Sequence, residues 1–266
     1  MDYRALLALL LVTISLPIVA AGAGLEEARI TAVVREVNLL AANNAPCPAS
    51  LSNVVHAGMA VTTGADSRAE LTFNNQAVAR LSVNAALTFK ARDSLDLTQG
   101  AVLIQVPNGA KGKVQAAGVA AALSGVTAVL EYQPPAFKFL VIEGIGRLYR
   151  PRHLGDSVLV RAGQMIFGSA NAALSDPVDF DIGRFVKTCP LLQEFPPLES
   201  EKSMTAASQK QQRDKSKKIL IDTNLVIFGG GTLVSLVDPG TNVSAPAVPA
   251  PAPSPAPAST PLATSR

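Results

Sequence analysis

The side chains best suited to chemistry in this sequence are two histidines, and the residues around them do not build a catalytic site. His56 precedes an expected turn at Gly58, and His153 follows Pro151 in another. Neither histidine lies in a motif of exported enzymes such as G-x-S-x-G or H-E-x-x-H. Histidines in solvated loops are far more common than catalytic or metal-binding ones. We therefore expect no catalytic, cofactor-binding or metal-binding residues, although hydrolysis by serine or carboxylate chemistry stays open as an alternative.

A second candidate for chemistry is the segment ILIDTNLVIF, which resembles the opening strand of PIN-type metal-dependent ribonucleases. In that comparison Asp222 would be a metal ligand. Hard divalent cations need several carboxylates, and only Asp238 follows Asp222 in the chain. No Lys-Ser or Lys-Thr pair follows Gly229 to Gly231, so these glycines do not form a phosphate-binding loop. Both features indicate a hairpin with a glycine turn.

The dense basic segment near residue 215 has two interpretations. Its cations are Lys210, Arg213, Lys215, Lys217 and Lys218. They could contact anionic envelope polymers or phospholipid headgroups. Acidic neighbours and the lack of interleaved aromatics favour a solvated helix face instead. The formal charge of the whole chain is only +3, so we expect no nucleic-acid partner.

The chain has two cysteines, Cys47 and Cys189, and each lies beside a proline. A disulfide between them would join the start of the main domain to its end, if the chain reaches an oxidising compartment. The alternative is a pair of free thiols that lie too far apart to bond. The sequence leaves both open.

The N-terminus has the pattern of an export signal. Arg4 precedes an apolar run from Ala5 to Val19, and the small residues Ala21-Gly22-Ala23 follow it. The run is shorter than the roughly 20 residues that span a bilayer, so we expect cleavage near Gly24 rather than a retained anchor. This pattern predicts a signal peptide over residues 1–23, a periplasmic or cell-envelope location, and no stable transmembrane span after cleavage.

Short apolar segments recur from Ala28 to about Ile166, and glycine, proline and Asn/Asp separate them. Many short strands with little helix are typical of an all-β fold in which each strand buries its apolar side against a second layer. The chain is 48% hydrophobic but only 5% aromatic, which suits a core of aliphatic side chains. We predict a β domain over residues 24–198, built as a roll or a solenoid-like stack of strands.

The stretch TTGADSRAELTFNNQAVARLSV, residues 62–83, shows the strand pattern most clearly. Its side chains alternate between polar and apolar on both sides of an Asn-Asn turn, which predicts a β-hairpin. We expect Leu71, Phe73 and Leu81 to face the interior. By the same alternation, Glu70 and Arg80 are expected to face solvent.

Beyond Pro197 the composition changes twice. Residues 199–218 are rich in good helix formers and charges, which predicts one surface helix. ILIDTNLVIF and TLVSLV then predict a closing β-hairpin, so that residues 199–243 form a helix-plus-hairpin extension. Residues 244–266 alternate proline and alanine with few apolar side chains able to pack, and we expect a disordered tail.

The ordered segments VTTGADSRAELTFNNQAVARLSVNAALTF, LDLTQGAVLIQVP, AALSGVTAVLEY, KFLVIEGIGRLY and VLVRAGQM resemble the periplasmic domain of the FecR family, roughly over residues 28–168. The resemblance implies an all-β structural domain in which Gly64, Gly100, Gly125, Gly144 and Gly163 turn the chain between strands. Regulatory members of that family hold a sigma factor through a cytoplasmic segment. Here the hydrophobic segment begins within five residues of Met1, so we expect a stand-alone exported member without that segment.

These observations predict an exported, non-enzymatic β-scaffold that binds or supports an envelope protein or polymer. Two alternatives belong to other classes. One is an envelope hydrolase that uses carboxylate or serine chemistry, and the other is a sensor subunit for a separate membrane regulator.

Overall fold

The computed structural model describes residue 25 and residues 27–41, 45–90, 94–169, 172–214, 220–228 and 231–237. The expected signal peptide, residues 1–23, and the expected tail, residues 244–266, lie outside these ranges. None of the described helices is long and apolar enough to cross a membrane.

Within the described residues, seventeen strands form one continuous mixed sheet, and two more form a separate hairpin. The strands of the first half are β1 (Ala28–Val34), β2 (Val37–Leu40), β3 (Cys47–Pro48), β4 (Val54–Val55), β5 (Ala60–Thr63), β6 (Arg68–Phe73), β7 (Val78–Leu81), β8 (Ala86–Lys90) and β9 (Ser94–Val106). Those of the second half are β10 (Gly112–Ala116), β11 (Val119–Leu123), β12 (Val126–Gln133), β13 (Ala136–Glu143), β14 (Ile145–Tyr149), β15 (Ser157–Arg161), β16 (Gln164–Ser169) and β17 (Val178–Asp179). The all-β prediction is confirmed.

The large sheet folds over into two layers that share the long strand β9. The front layer has the order β3-β2-β5-β8-β9-β10-β11-β14-β15. The back layer has the order β4-β1-β6-β7-β9-β12-β13-β16-β17. Every described pairing is antiparallel except that of β9 with β10.

The passage between the layers takes place at Gly100, inside β9. Residues before it pair with β8 in the front layer, and residues from Gly100 onward pair with β12 in the back layer. Gly100 has φ +83°, and a Cβ added there would lie 2.5 Å from Cα of Ala85. The sequence-based placement of Gly100 in a turn between strands is therefore wrong, because this glycine bends one continuous strand at a point of close backbone approach.

The main core lies between the two layers. Leu71, Phe73 and Leu81 are buried there, as the alternation predicts. The ring of Phe73 in the back layer stacks on Phe89 of the front layer, with ring centres 5.6 Å apart. Side chains from both layers thus share one apolar interior, as in other two-layer β folds.

The back layer is buried on both faces, because three helices cover its other side. These are α1 (Ile182–Thr188), α2 (Pro190–Gln193) and α3 (Glu201–Asp214), and residues 182–214 are called the helical cap below. A second core joins Leu103, Leu140 and Met165 of the back layer to apolar side chains of the cap. Two-sided burial explains why β9, β12 and β13 contain continuous apolar runs rather than strict alternation.

The cap corrects the predicted exposure of Glu70 and Arg80. Both side chains lie on the face opposite Leu71 and Phe73, as expected, but that face carries the cap instead of solvent. Arg80 is only 1% exposed, and the side chain of Glu70 is 13% exposed.

The C-terminal extension matches the sequence-based prediction in its elements. Helix α3 is a surface helix that buries Met204 toward the second core. Strands β18 (Leu220–Phe228) and β19 (Gly231–Val237) form the expected antiparallel hairpin, with Phe228 opposite Gly231. Gly229 and Gly230 lie outside the described residues.

Candidate functional site

The outer face of the front layer, over strands β10, β11, β14 and β15, brings together side chains from distant parts of the sequence. In one row across these strands Lys113 pairs with Ala122, Ala122 with Arg147, and Arg147 with Leu159. The neighbouring residues Val114, Ala121, Leu148 and Val160 point the other way and are buried in the main core. We call this surface, with its flanking residues Lys111, Ile145 and Arg161, the basic face.

The cations of the basic face have no acidic partners among the residues that the structure describes. Lys111, Arg147 and Arg161 are exposed, and Lys113 is partly exposed. Arg147 Nη1 donates a hydrogen bond of 3.2 Å to Ser157 Oγ, which holds the guanidinium over the sheet. Strands lie about 4.8 Å apart, so Lys113 and Arg147, two strands apart, place positive charge at intervals of roughly 10 Å.

A shallow groove of about 410 Å³ lies between these cations. Ala122 lies on the floor of the groove, and its small side chain leaves space between the longer side chains around it. Ile145 and Leu159, 47% and 45% exposed, contribute aliphatic surface to the same groove. The groove therefore combines apolar lining with positive charge.

A larger cleft of about 610 Å³ lies on the same layer, between the loop that joins β14 to β15 and the β10–β11 turn. Asp96 and Gln115, which face outward from adjacent strands, lie on one side of it, and Arg150, Arg152 and His153 lie on the other. Polar groups that converge on an open cleft can orient a ligand.

The β14–β15 loop is held by Arg150. Its Nη1 lies 3.1 Å from Asp156 Oδ2, and its Nη2 lies 2.9 Å from His153 Nε2. Since the guanidinium can only donate, Nε2 of His153 is the acceptor in this contact. Leu154, beyond these contacts, is fully exposed at 104%.

A second group of polar side chains lies between the back layer and the helical cap. Arg80 Nε donates to Glu70 Oε2 at 2.8 Å, and Arg80 Nη1 donates to the carbonyl of Leu191 at 2.9 Å. Its Nη2 donates to the carbonyl of Pro196, and the guanidinium lies 4.9 Å from the ring centre of Phe195. Burial lowers the pKa of Arg80, and the hydrogen bond and charge of Glu70 oppose that shift. Arg80 thus fastens the cap to the sheet.

Other polar contacts beneath the cap extend this arrangement. Lys138 Nζ lies 2.7 Å from Glu131 Oε2, with both side chains buried, and it donates to Thr223 Oγ1 of β18. Thr127 Oγ1 donates a hydrogen bond of 3.2 Å to a carboxylate oxygen of Glu143 and lies 2.8 Å from Ser200 Oγ, whose hydroxyl can donate in turn. Burial raises the pKa of Glu143, and the hydrogen bond from Thr127 partly offsets the shift.

The two histidines lie in separate places, as their sequence contexts suggest. His56 Nδ1 lies 3.5 Å from a carboxylate oxygen of Glu27 at the surface, and His153 lines the larger cleft. No group of three metal-ligating side chains occurs within the described ranges. Asp222 is on β18 as expected, opposite Ser235 of β19.

The two cysteines are free thiols in the structure, rather than the disulfide that the sequence allows. Cys47 is exposed on β3, the edge strand of the front layer, and its thiol donates to the carbonyl of Leu39 at 3.6 Å. Cys189 is buried in the second core, on the far side of the back layer. Burial raises the pKa of Cys189 to about 11. The cysteines thus pack against different layers, and their pairing stays a prediction.

Sequence reasoning missed the first part of the cap and the basic face. Helices α1 and α2 had detectable signals, since Asp181 caps α1 by accepting from the backbone N–H of Arg184, and Pro190 occupies the first position of α2. The basic face had no local signal, because Lys113 and Arg147 become neighbours only through the strand order.

Part of the chain matches the model of a known protein family. Residues 59–145 match the model of the FecR protein family, so the chain carries a FecR-like domain that spans β5 to the start of β14. The search of curated proteins found no match.

Two crystal structures of a candidate anti-sigma factor from Parabacteroides distasonis ATCC 8503 are similar to this chain. The first has a TM-score of 0.40 and 11% identity over 45% of this chain, and the similarity spans 59% of that protein's own length. The second has a TM-score of 0.39 and 9% identity over 60% of this chain and 92% of the other.

Proposed function

We propose that this protein, through its FecR-like domain, is an exported binding scaffold of the cell envelope and not an enzyme, and that the basic face is its recognition surface. One observation carries the proposal. The basic face sets cations and half-exposed aliphatic side chains on a rigid four-stranded framework, without ion-pair partners among the described residues. Unpaired positive charge on a flat surface suits binding by electrostatic complementarity rather than bond cleavage.

The buried polar groups join the sheet to the helical cap, which supports a scaffold over the hydrolase alternative. The hydroxyl and carboxylate groups of Thr127, Ser200 and Glu143 join the back layer to the cap. Arg80 likewise contacts carbonyls of the cap. These groups have a structural role that accounts for their burial, and their removal is expected to loosen the cap.

The proposed domain organisation follows from the same reasoning. Residues 1–23 serve as a cleaved signal, residues 24–198 form the FecR-like β domain, residues 199–243 form the helix and hairpin extension, and residues 244–266 form a disordered tail. The FecR match covers the middle of the proposed domain and supports a periplasmic location.

A second candidate function is that of a sensor subunit for a membrane regulator. It is favoured by the FecR match alone, since the regulatory members of that family receive signals in the envelope. In this case the basic face would contact the regulator. Co-purification of a membrane anti-sigma partner with this chain would favour the sensor over a purely structural scaffold.

Fractionation of cells that export the full chain tests the proposal. The expected result is a product with a new terminus near Gly24 that remains with the envelope, and whose retention falls in the double variant Lys113→Gln, Arg147→Gln. The matched control is Lys187→Gln, Lys202→Gln, which removes the same charge from exposed positions of the helical cap. Recovery of the chain in the cytosol with Met1 intact would contradict export, and equal retention of both double variants would remove the basic face from the proposal.

A further inference from the structure

We infer that the basic face and the tip of the β14–β15 loop together dock on a membrane surface of anionic phospholipid headgroups. This inference rests on the proposed scaffold function and names its partner. It assigns the cations to the headgroups and Leu154 to the boundary between headgroups and acyl chains.

The outer side of the front layer carries more positive than negative charge. Its cations without an ion-pair partner in the described part of the chain are Lys111, Lys113, Arg147, Arg152 and Arg161. The described acidic residues on the same side are Asp96, whose carboxylate lies 3.6 Å from Lys90 Nζ, Asp156, which pairs with Arg150, and Glu36, which accepts a hydrogen bond from Asn38 of β2, so the cations outnumber them. The surface therefore presents excess positive charge toward solvent, and a complementary partner is anionic.

Exposed aliphatic side chains lie next to these cations. Ile145 and Leu159 lie among the cations of the groove, each about half exposed. Leu154 is fully exposed in a loop that also contains Arg152. Aliphatic side chains next to cations are typical of peripheral membrane surfaces, where apolar groups enter the interface and basic groups bind the headgroups.

The combination of cations with exposed aliphatic side chains distinguishes a membrane from a soluble polyanion as the partner. An acidic polymer in water offers charge for the arginines and lysines, but it offers no apolar phase for Leu154. A bilayer with anionic headgroups offers both. The helical cap lies against the back layer, on the other side of the sandwich, so no described helix covers the basic face.

Co-sedimentation of the exported chain, as recovered from cells, with lipid vesicles tests the inference. One set of vesicles contains equal parts of phosphatidylglycerol and phosphatidylcholine, and the other contains phosphatidylcholine alone. The readout is the ratio of binding to the two sets, which cancels any contribution of an unprocessed apolar N-terminus. We expect a strong preference for the anionic vesicles that weakens as salt is raised.

The variants separate the contributions of charge and insertion. Each basic residue near an anionic surface contributes about fivefold to binding, so the double variant Lys113→Gln, Arg147→Gln should lower the partition coefficient about 25-fold. Leu154→Ser removes an inserted leucine and should lower it about tenfold. The matched control for charge is Lys187→Gln, Lys202→Gln, at exposed positions of the helical cap. The matched control for an exposed leucine is Leu51→Ser, 63% exposed beyond β3, and neither control should change binding.

Three results would overturn the inference: equal binding to both vesicle sets, equal losses in the variants and their controls, or full binding by Leu154→Ser. If wild type instead binds soluble polyglutamate but not vesicles, and the double variant Lys113→Gln, Arg147→Gln loses the polyglutamate binding, the partner is an acidic polymer and the lipid assignment is wrong. Failure here is distinct from failure of the scaffold proposal, because envelope retention in cells that depends on Lys113 and Arg147 would leave that proposal standing.

Discussion

Replacing Arg80 by methionine should detach the helical cap from the back layer, because this one side chain joins three parts of the structure. Its guanidinium contacts the carboxylate of Glu70 and the carbonyls of Leu191 and Pro196, and it packs near the ring of Phe195. Methionine keeps much of the aliphatic volume of arginine but supplies no donor. The variant therefore leaves one carboxylate and two carbonyls without that donor.

The burial of the Arg80–Glu70 ion pair sets how much unfolding free energy the variant loses. Removing one partner of a buried ion pair costs about 3–5 kcal/mol, because the other charge stays behind without compensation. Glu70 keeps a hydrogen bond of 2.8 Å from Thr31 Oγ1, and its side chain is 13% exposed, so the low end of that range applies. We expect a loss of about 3 kcal/mol in the free energy of unfolding for Arg80→Met.

The matched control is Arg35→Met. Arg35 Nη1 lies 3.1 Å from Asp66 Oδ2, but the two side chains are 67% and 79% exposed. An exposed ion pair contributes at most about 1 kcal/mol, so this variant should be close to wild type. The contrast isolates burial, since both changes remove one arginine from one ion pair.

Urea unfolding followed by circular dichroism measures the two free energies, and limited proteolysis reports on residues 189–200 of the cap. Arg80→Met should expose that segment to cleavage under native conditions, whereas Arg35→Met should not. The double variant Glu70→Gln, Arg80→Met should recover part of the loss, because it removes the stranded carboxylate. A loss for Arg80→Met within about 0.5 kcal/mol of that for Arg35→Met would refute the proposed role of Arg80.

Three further outcomes are expected. Phe73→Ala, at a site 3% exposed, should lower the free energy of unfolding by about 3–5 kcal/mol in the same urea assay, and a loss below about 1 kcal/mol would contradict the packing between the layers. Alkylation with iodoacetamide should label Cys47 in the native protein but Cys189 only after unfolding, since Cys189 is buried and burial raises its pKa to about 11. If both cysteines stay protected in the unfolded protein until a reductant is added, they form the disulfide instead. Burial raises the folded-state pKa of Glu143, so its contribution to stability is present below the unfolded-state pKa and is lost as pH rises through the folded-state pKa. Glu143→Gln should therefore be more stable than wild type at neutral pH and should lose that advantage in acid. A difference in stability between the two proteins that does not change with pH would contradict this.

The local elements of this protein could be predicted from its sequence because they depend on local periodicity. Alternation over residues 62–83 predicts the β6–β7 hairpin and the burial of Leu71, Phe73 and Leu81. Helix α3 and the β18–β19 hairpin likewise follow from composition and glycine placement. A period of two identifies the two faces of a strand, and that information is present in a short segment.

The same periodicity does not predict which part of the chain covers each face of a strand. Only the tertiary structure determines that. Arg80 occupies the polar face of its strand, as the alternation requires, but the helical cap converts that face into a second core. Gly100 marks a bend within β9, and a side chain is excluded there because Ala85, the residue before β8, comes close to it in the folded chain. Lys113 and Arg147 share one row because β11 lies between their strands. Strand order depends on contacts between distant segments, so no local pattern could place these two cations on one surface.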